Sequence, residues 1–113
     1  IAREMLEKGN LPDGIVCYND QIAVQVMEEL EKAGIRIPDD ISVTGYDNSL
    51  YARRGTGITT IAHPQEKLGE MAAELIMEKI NGVAEKDSKV ERLIQPELII
   101  RGSCAVNKKK DNM

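Results

Sequence analysis

The stretch "GIVCYNDQIAVQVMEELEKAG", residues 14–34, decides the fold class. It opens on "GIVCY", a short apolar run of the kind that forms a buried strand. From Gln21 to Ala33 the apolar residues Ile22, Ala23, Val26, Met27, Leu30 and Ala33 recur at helical spacing, and Gly34 supplies a stop. Between the two lie only Asn19 and Asp20, with no room for an ordinary loop. A strand that feeds directly into an amphipathic helix is the start of a βαβ unit.

Working outward, Ile1, Ala2, Met5 and Leu6 have helical spacing before Gly9, so residues 1–8 read as the end of a helix. Downstream, "IPDD" turns the chain and "ISVTGY" at 41–46 is a second buried-type strand. Residues 46–57 read as loop, and "ITTIA" at 58–62 as a third strand closed by Pro64. Gln65–Asn81 is the longest helix, with Leu68, Met71, Ala72, Leu75, Ile76 and Ile80 on its apolar side and Gly82 as its stop. "VAEKDSK" at 83–89 is a polar connector, "VERLIQPELIIRGS" is extended with a break at Pro96, and the residues after Cys104 form a polar tail. Alternating strands and helices imply right-handed parallel crossovers, hence an α/β fold of Rossmann-like type: a parallel sheet with helices on both faces.

The chain has 113 residues, 42% hydrophobic and 30% charged, which fits one α/β domain or part of one. It begins at Ile1, and a preceding segment is expected. No apolar run approaches the roughly 18–20 residues of a membrane span. The net charge is −4, and the one basic run, Lys108–Lys110, lies in the polar tail, so no basic stripe marks a nucleic-acid surface. The two cysteines, Cys17 and Cys104, have neither CxxC spacing nor a disulfide framework, which points to a reduced intracellular compartment. With one histidine, no metal site is expected, and no cofactor either.

In an open parallel sheet, ligands bind beyond the carboxyl ends of the strands. Three polar clusters fall there: "YND" at 18–20, "YDNS" at 46–49 and "AHPQ" at 62–65. Asn19 is equally well explained as a helix cap, Asp47 as a turn-forming aspartate, and His63 as a residue lining a strand end. A carboxylate and an amide at neighbouring strand ends can also hold adjacent hydroxyls of a small polyol. Catalysis has less support. Ser49 lacks GxSxG spacing, GxGxxG is missing, and "GTG" at 55–57 has no third glycine, so the chain reads as a small-molecule sensor and not an enzyme.

The blocks "NDQIA", "AG", "IP", "DISV" and "GYD" in "PDGIVCYNDQIAVQVMEELEKAGIRIPDDISVTGYDNS", followed by "TTIAHPQEKLGEMAAELI" and "QPELIIRGS", resemble the effector-binding domain of the lactose/galactose-repressor family of bacterial transcription regulators. The resemblance runs from residue 1 to about 104. "IVCYND", "HP" in place of the commoner "QP", and "PELIIR" look most like the arabinose repressors of that family. Ribose, galactoside and purine sensors share the same backbone motif.

The resemblance implies a periplasmic-binding-protein-like type I fold, of which this chain is the C-terminal part of a two-lobed domain. Residues 1–61 would belong to the C-terminal lobe and 62–90 to the crossover and a helix of the N-terminal lobe. Residues 91–104 would return to the first lobe, and 105–113 would form the tail. Asn19, Asp47 and His63 carry over as ligand residues, the last at a position where members often have Gln or His. On that reading Asp20 caps the helix while Asn19 leans toward the ligand. The implied function is that of a cytoplasmic, homodimeric repressor's sensor for L-arabinose or a related small sugar, acting on operator DNA through a separate N-terminal domain. In the arabinose branch that domain is a winged helix of another family. An extracytoplasmic sugar-binding protein that feeds a transporter would share the fold and is the alternative.

Overall fold

In the computed structural model, which describes residues 1–82 and 89–108, eight short elements follow one another. They are α1 (Ala2–Lys8), β1 (Gly14–Val16), α2 (Asp20–Lys32), β2 (Ser42–Thr44), a 3-10 turn (Leu50–Arg53), β3 (Thr60–Ala62), α3 (Gln65–Ile80) and β4 (Glu97–Ile99). Residues 83–88 of the expected polar connector, with Lys109, Lys110 and the rest of the tail beyond them, lie outside the described residues.

The first half is the expected βαβ unit. β1 and β2 pair in parallel, with Gly14 opposite Ser42 and Val16 opposite Thr44, and Thr44 bridges onward to Thr59 in the same sense. α2 crosses between them, its length fixed by the apolar spacing already noted. Its inner side places Ala23, Val24 and Leu30 in the core with Cys17, Ile41, Val43, Ala52 and Ile58. Removing a leucine-sized side chain such as Leu30 from water contributes roughly 1.5–3 kcal/mol, so this one helix face supplies much of the local stability. Burial also pushes the Cys17 thiol up from its ordinary value, which keeps it protonated and makes it a packing residue.

The α/β fold is as expected, with one strand pairing added to it and one segment corrected. The returning segment pairs antiparallel, β4 against β3, with Thr60 opposite Ile99 and Ala62 opposite Glu97, so the strand pairing is not parallel throughout. Residues 46–57 are not all loop, because Leu50–Arg53 form a 3-10 turn that buries Ala52 against α2. A single turn of four residues has too short an apolar pattern to stand out in a sequence.

The chain divides into two compact units, Ile1–Ala62 with Glu97–Met113, and His63–Pro96. The first holds the sheets, α1, α2 and the core. α1 ends where Gly9 takes the left-handed conformation, φ 64°, and its N–H donates to the Leu6 carbonyl. The second holds α3, on which Glu74 and Glu78 lie one turn apart and both pair with Arg92. The hydrogen bond to Glu78, ahead of the charge of both carboxylates, raises the Arg92 guanidinium further above its already high value. None of the α3 side chains is buried.

Candidate functional site

At the carboxyl ends of β1 and β2 the chain is held by a ladder that outlasts the strands. The Cys17 N–H donates to Thr44 O (2.9 Å), and the Asp20 N–H donates to Tyr46 O (3.0 Å). Asn19 and Asp47 therefore flank one inter-strand bond, which brings two of the three sequence-nominated residues to adjacent positions. Both are half-buried.

The capping assignment is reversed from expectation. Asn19 has extended backbone, φ −151°, and its Oδ1 accepts the Ile22 N–H at 2.9 Å, so Asn19 is the cap of α2. That bond uses one lone pair of Oδ1, while Nδ2 carries two N–H donors. Asp20, expected to be the cap, lies in the first turn of α2 and is fully buried. Its Oδ2 accepts from the Ser49 N–H (2.7 Å) and the Ser49 Oγ (3.0 Å), and its Oδ1 accepts from Thr60 Oγ1 (2.6 Å). A buried carboxylate is tolerated only when its oxygens are hydrogen-bonded, and the positive end of the α2 dipole adds to the compensation. Gly45 leaves the space for it: a side-chain carbon at position 45 would sit on the Asp20 carboxylate.

These bonds shape the loop that carries Asp47. Asp47 has φ 101° and Asn48 φ 54°, both in the region that favours glycine. Such a conformation costs on the order of 1–3 kcal/mol per residue and persists only where neighbours fix it. Here Asp47 N–H donates to Ile61 O (2.9 Å), Asn48 N–H to Thr60 Oγ1 (3.4 Å), and Ser49 to Asp20 as described. The loop is thus bonded on one side to α2 and on the other to β3. A strained aspartate held by a buried network at a strand end is what a preorganised polar contact requires.

His63 is placed differently. It follows Ala62, the last residue of β3, and is the first residue of the second unit, half-buried. Asp20 and Ser49 belong to the polar clusters at 18–20 and 46–49, but the buried network they form with Thr60 is not expected from the sequence. Their only signal was an aspartate next to the cap-forming asparagine, and their contacts span 29 and 40 positions.

No group of three or more metal-binding side chains occurs among the described residues, and no helix there is long and apolar enough to cross a membrane. A cavity of about 170 Å³ opens between α2 and residues 54–58, lined by Val24, Met27, Ile37 and Ile58, with Glu28 and Arg54 paired at its rim. It does not include Asn19 or Asp47.

Residues 1–104 match the periplasmic binding protein-like domain family. An arabinose metabolism transcriptional repressor of Geobacillus stearothermophilus is 37% identical over 106 residues, which cover 91% of this chain and 29% of the relative. The transcriptional repressor PurR of Photobacterium profundum is 40% identical, covering 90% of this chain and 30% of the relative. The chain thus spans less than a third of these relatives' length. Among solved structures, a dimeric Lac repressor with a C-terminal deletion superposes with a TM-score of 0.83 at 27% identity, covering 95% of this chain and 39% of that one. A LacI family regulator of Enterococcus faecium with bound ribose gives 0.79 at 31%, covering 96% and 39%. The chain belongs to the periplasmic-binding-protein-like domain family, in the form carried as effector-binding domain by regulators of the lactose/galactose-repressor type.

Proposed function

We propose that this chain is part of the sugar-sensing domain of a bacterial transcriptional repressor and that its effector is a small sugar, L-arabinose in the first instance. The observation that carries the proposal is Asp47, held at φ 101° beside Asn19, the cap of α2, at the ends of two parallel strands. A carboxylate accepts from two neighbouring hydroxyls, and the Asn19 amide donates, which suits polyol hydroxyls that each donate and accept. His63 is the third ligand in this reading. Residues 1–61 and 91–104 serve one lobe, and residues 62–90 serve the other.

No covalent step is involved. The sugar acts by binding one arrangement of the lobes better than another, and the shift it causes is bounded by that difference in affinity. In a cytoplasmic homodimer this would alter how a separate DNA-binding domain meets its operator. The repressor relatives support this role over that of a transporter's binding protein.

Titration calorimetry on the full-length protein with L-arabinose, D-ribose, a galactoside and a purine base tests the effector class. Binding of a sugar that weakens an operator-DNA complex in a gel-shift assay is the expected result. A protein that binds sugar but no DNA would favour the transporter role, and one that binds only the purine would overturn the sugar assignment.

A further inference from the structure

Arg101 differs from the other arginines whose contacts define them. Arg3, Arg36, Arg54 and Arg92 each pair with a carboxylate at the surface. Arg101, two residues beyond β4, is half-buried and directs its guanidinium to two neutral acceptors. NH1 donates to Ile58 O (3.0 Å) and NH2 to Asn48 Oδ1 (2.7 Å). Its backbone is fixed as well: its N–H donates to Thr59 Oγ1 (2.9 Å), and Thr59 Oγ1 donates to its carbonyl (3.2 Å). Its aliphatic stem lies against Gly57, φ 85°, where any side-chain carbon would collide with it.

Asn48 is the second of the two residues with positive φ, directly after Asp47. We propose that Arg101 is a positioning residue for the effector site, its forked cation clamping the Asn48 amide and thereby setting the direction of the Asp47 carboxylate. The proposal rests on the reading of Asp47 as a sugar ligand. A planar guanidinium suits this task because it reaches two fixed acceptors at once, which a lysine cannot do. The placement has a consequence for switching. The chain leaves the first unit after Ala62 of β3 and re-enters it at Glu97 of β4. The Asp47–Asn48 turn is bonded to both strands' neighbourhoods, to Ile61 and Thr60 directly and to Arg101 through its side chain. A shift of the β3–β4 ribbon would reach Asp47 through these bonds.

The test uses full-length protein carrying Arg101→Ala, Arg101→Lys, Asn48→Gly and the pair Arg101→Ala with Asn48→Gly. Amide hydrogen exchange is read at Asp47–Ser49 and along α2, with calorimetry against L-arabinose and D-ribose. Exchange at Asp47–Ser49 should quicken about tenfold in Arg101→Ala while α2 stays protected, and sugar affinity should fall about tenfold, the worth of one charged hydrogen bond. Arg101→Lys, which keeps the cation and the stem, should show the same local quickening and guards against a variant that does not fold. In the Asn48→Gly background Arg101→Ala should have little further effect. Unchanged exchange at Asp47–Ser49, or effects of the two substitutions that simply multiply, would overturn the positioning role. A wild-type protein that binds neither sugar would instead overturn the sugar reading, and the exchange data would still decide the clamp.

Discussion

Asp20 and Ser49, 29 positions apart, are joined twice: one carboxylate oxygen of Asp20 accepts both the backbone N–H and the hydroxyl of Ser49. The other oxygen takes the Thr60 hydroxyl, so a fully buried aspartate ties α2 to the Asp47 loop and to β3. Asp20→Ala should destabilise the fold by at least one charged hydrogen bond, about 1.5–3 kcal/mol, because three donors lose their acceptor together. Urea unfolding measures it. A midpoint equal to wild type would show that the network is dispensable.

Gly45 faces the same carboxylate, and its substitution tests the packing separately from the charge. Gly45→Ala adds one carbon where Asp20 stands and should cost about 1–3 kcal/mol, the usual range for overpacking. Thermal denaturation should show a lower midpoint in Gly45→Ala, whereas Gly69→Ala, on α3 with open space around it, should stay at or above wild type.

Much of this region is legible in the sequence. α2 stood out because Ile22, Ala23, Val26, Met27 and Leu30 repeat a helical period, and β1 and β2 because apolar runs end at polar pairs. The sequence alone assigns the cap to Asp20 and not to Asn19 because both residue types cap helices well. What separates them is the position of Ser49 and Thr60, which only the tertiary fold supplies. The antiparallel pairing of β4 was hidden for a similar reason: three residues of strand do not state their partner. Arg101 looked like an ordinary charged residue following an apolar run, since nothing local reveals that Asn48 awaits it.

Asp47 gives a prediction in which stability and binding part company. Asp47→Gly relieves a φ of 101° and should leave the protein at least as stable as wild type, because strain of about 1–3 kcal/mol outweighs the flexibility of an added glycine. The same change removes the carboxylate and should abolish sugar binding, as should Asp47→Ala. Calorimetry and thermal melting on the two variants check both halves. Wild-type affinity in either would remove Asp47 from the site.

His63 can be probed by shape. If its ring nitrogen serves as a hydrogen-bonding group to the sugar, His63→Gln supplies a similar amide at the same reach and should keep affinity within about tenfold, a difference of 1.4 kcal/mol. His63→Ala should lose more than that. Equal affinity in wild type and His63→Ala would make it a residue that merely lines the end of β3.

α3 carries the last prediction. It is apolar on one side yet buries none of its residues: Leu68 is 54% exposed, Ile76 59% and Ile80 70%. Only Met71, Leu75 and Glu78, spaced four and three apart, are half-covered, so the shielded stripe is a single line along the helix. Burying a Leu or Ile side chain gains about 1.5–3 kcal/mol, and an apolar stripe left in water is a surface that favours association. The 113-residue chain on its own should therefore self-associate in a concentration-dependent way. Leu68→Glu together with Ile76→Glu should suppress it, because two carboxylates along that stripe must be desolvated before any second surface can cover it. Light scattering across micromolar concentrations distinguishes the outcomes. A wild-type chain that stays monomeric at tens of micromolar, or a double variant that associates as strongly as wild type, would show that the α3 stripe is not the association surface.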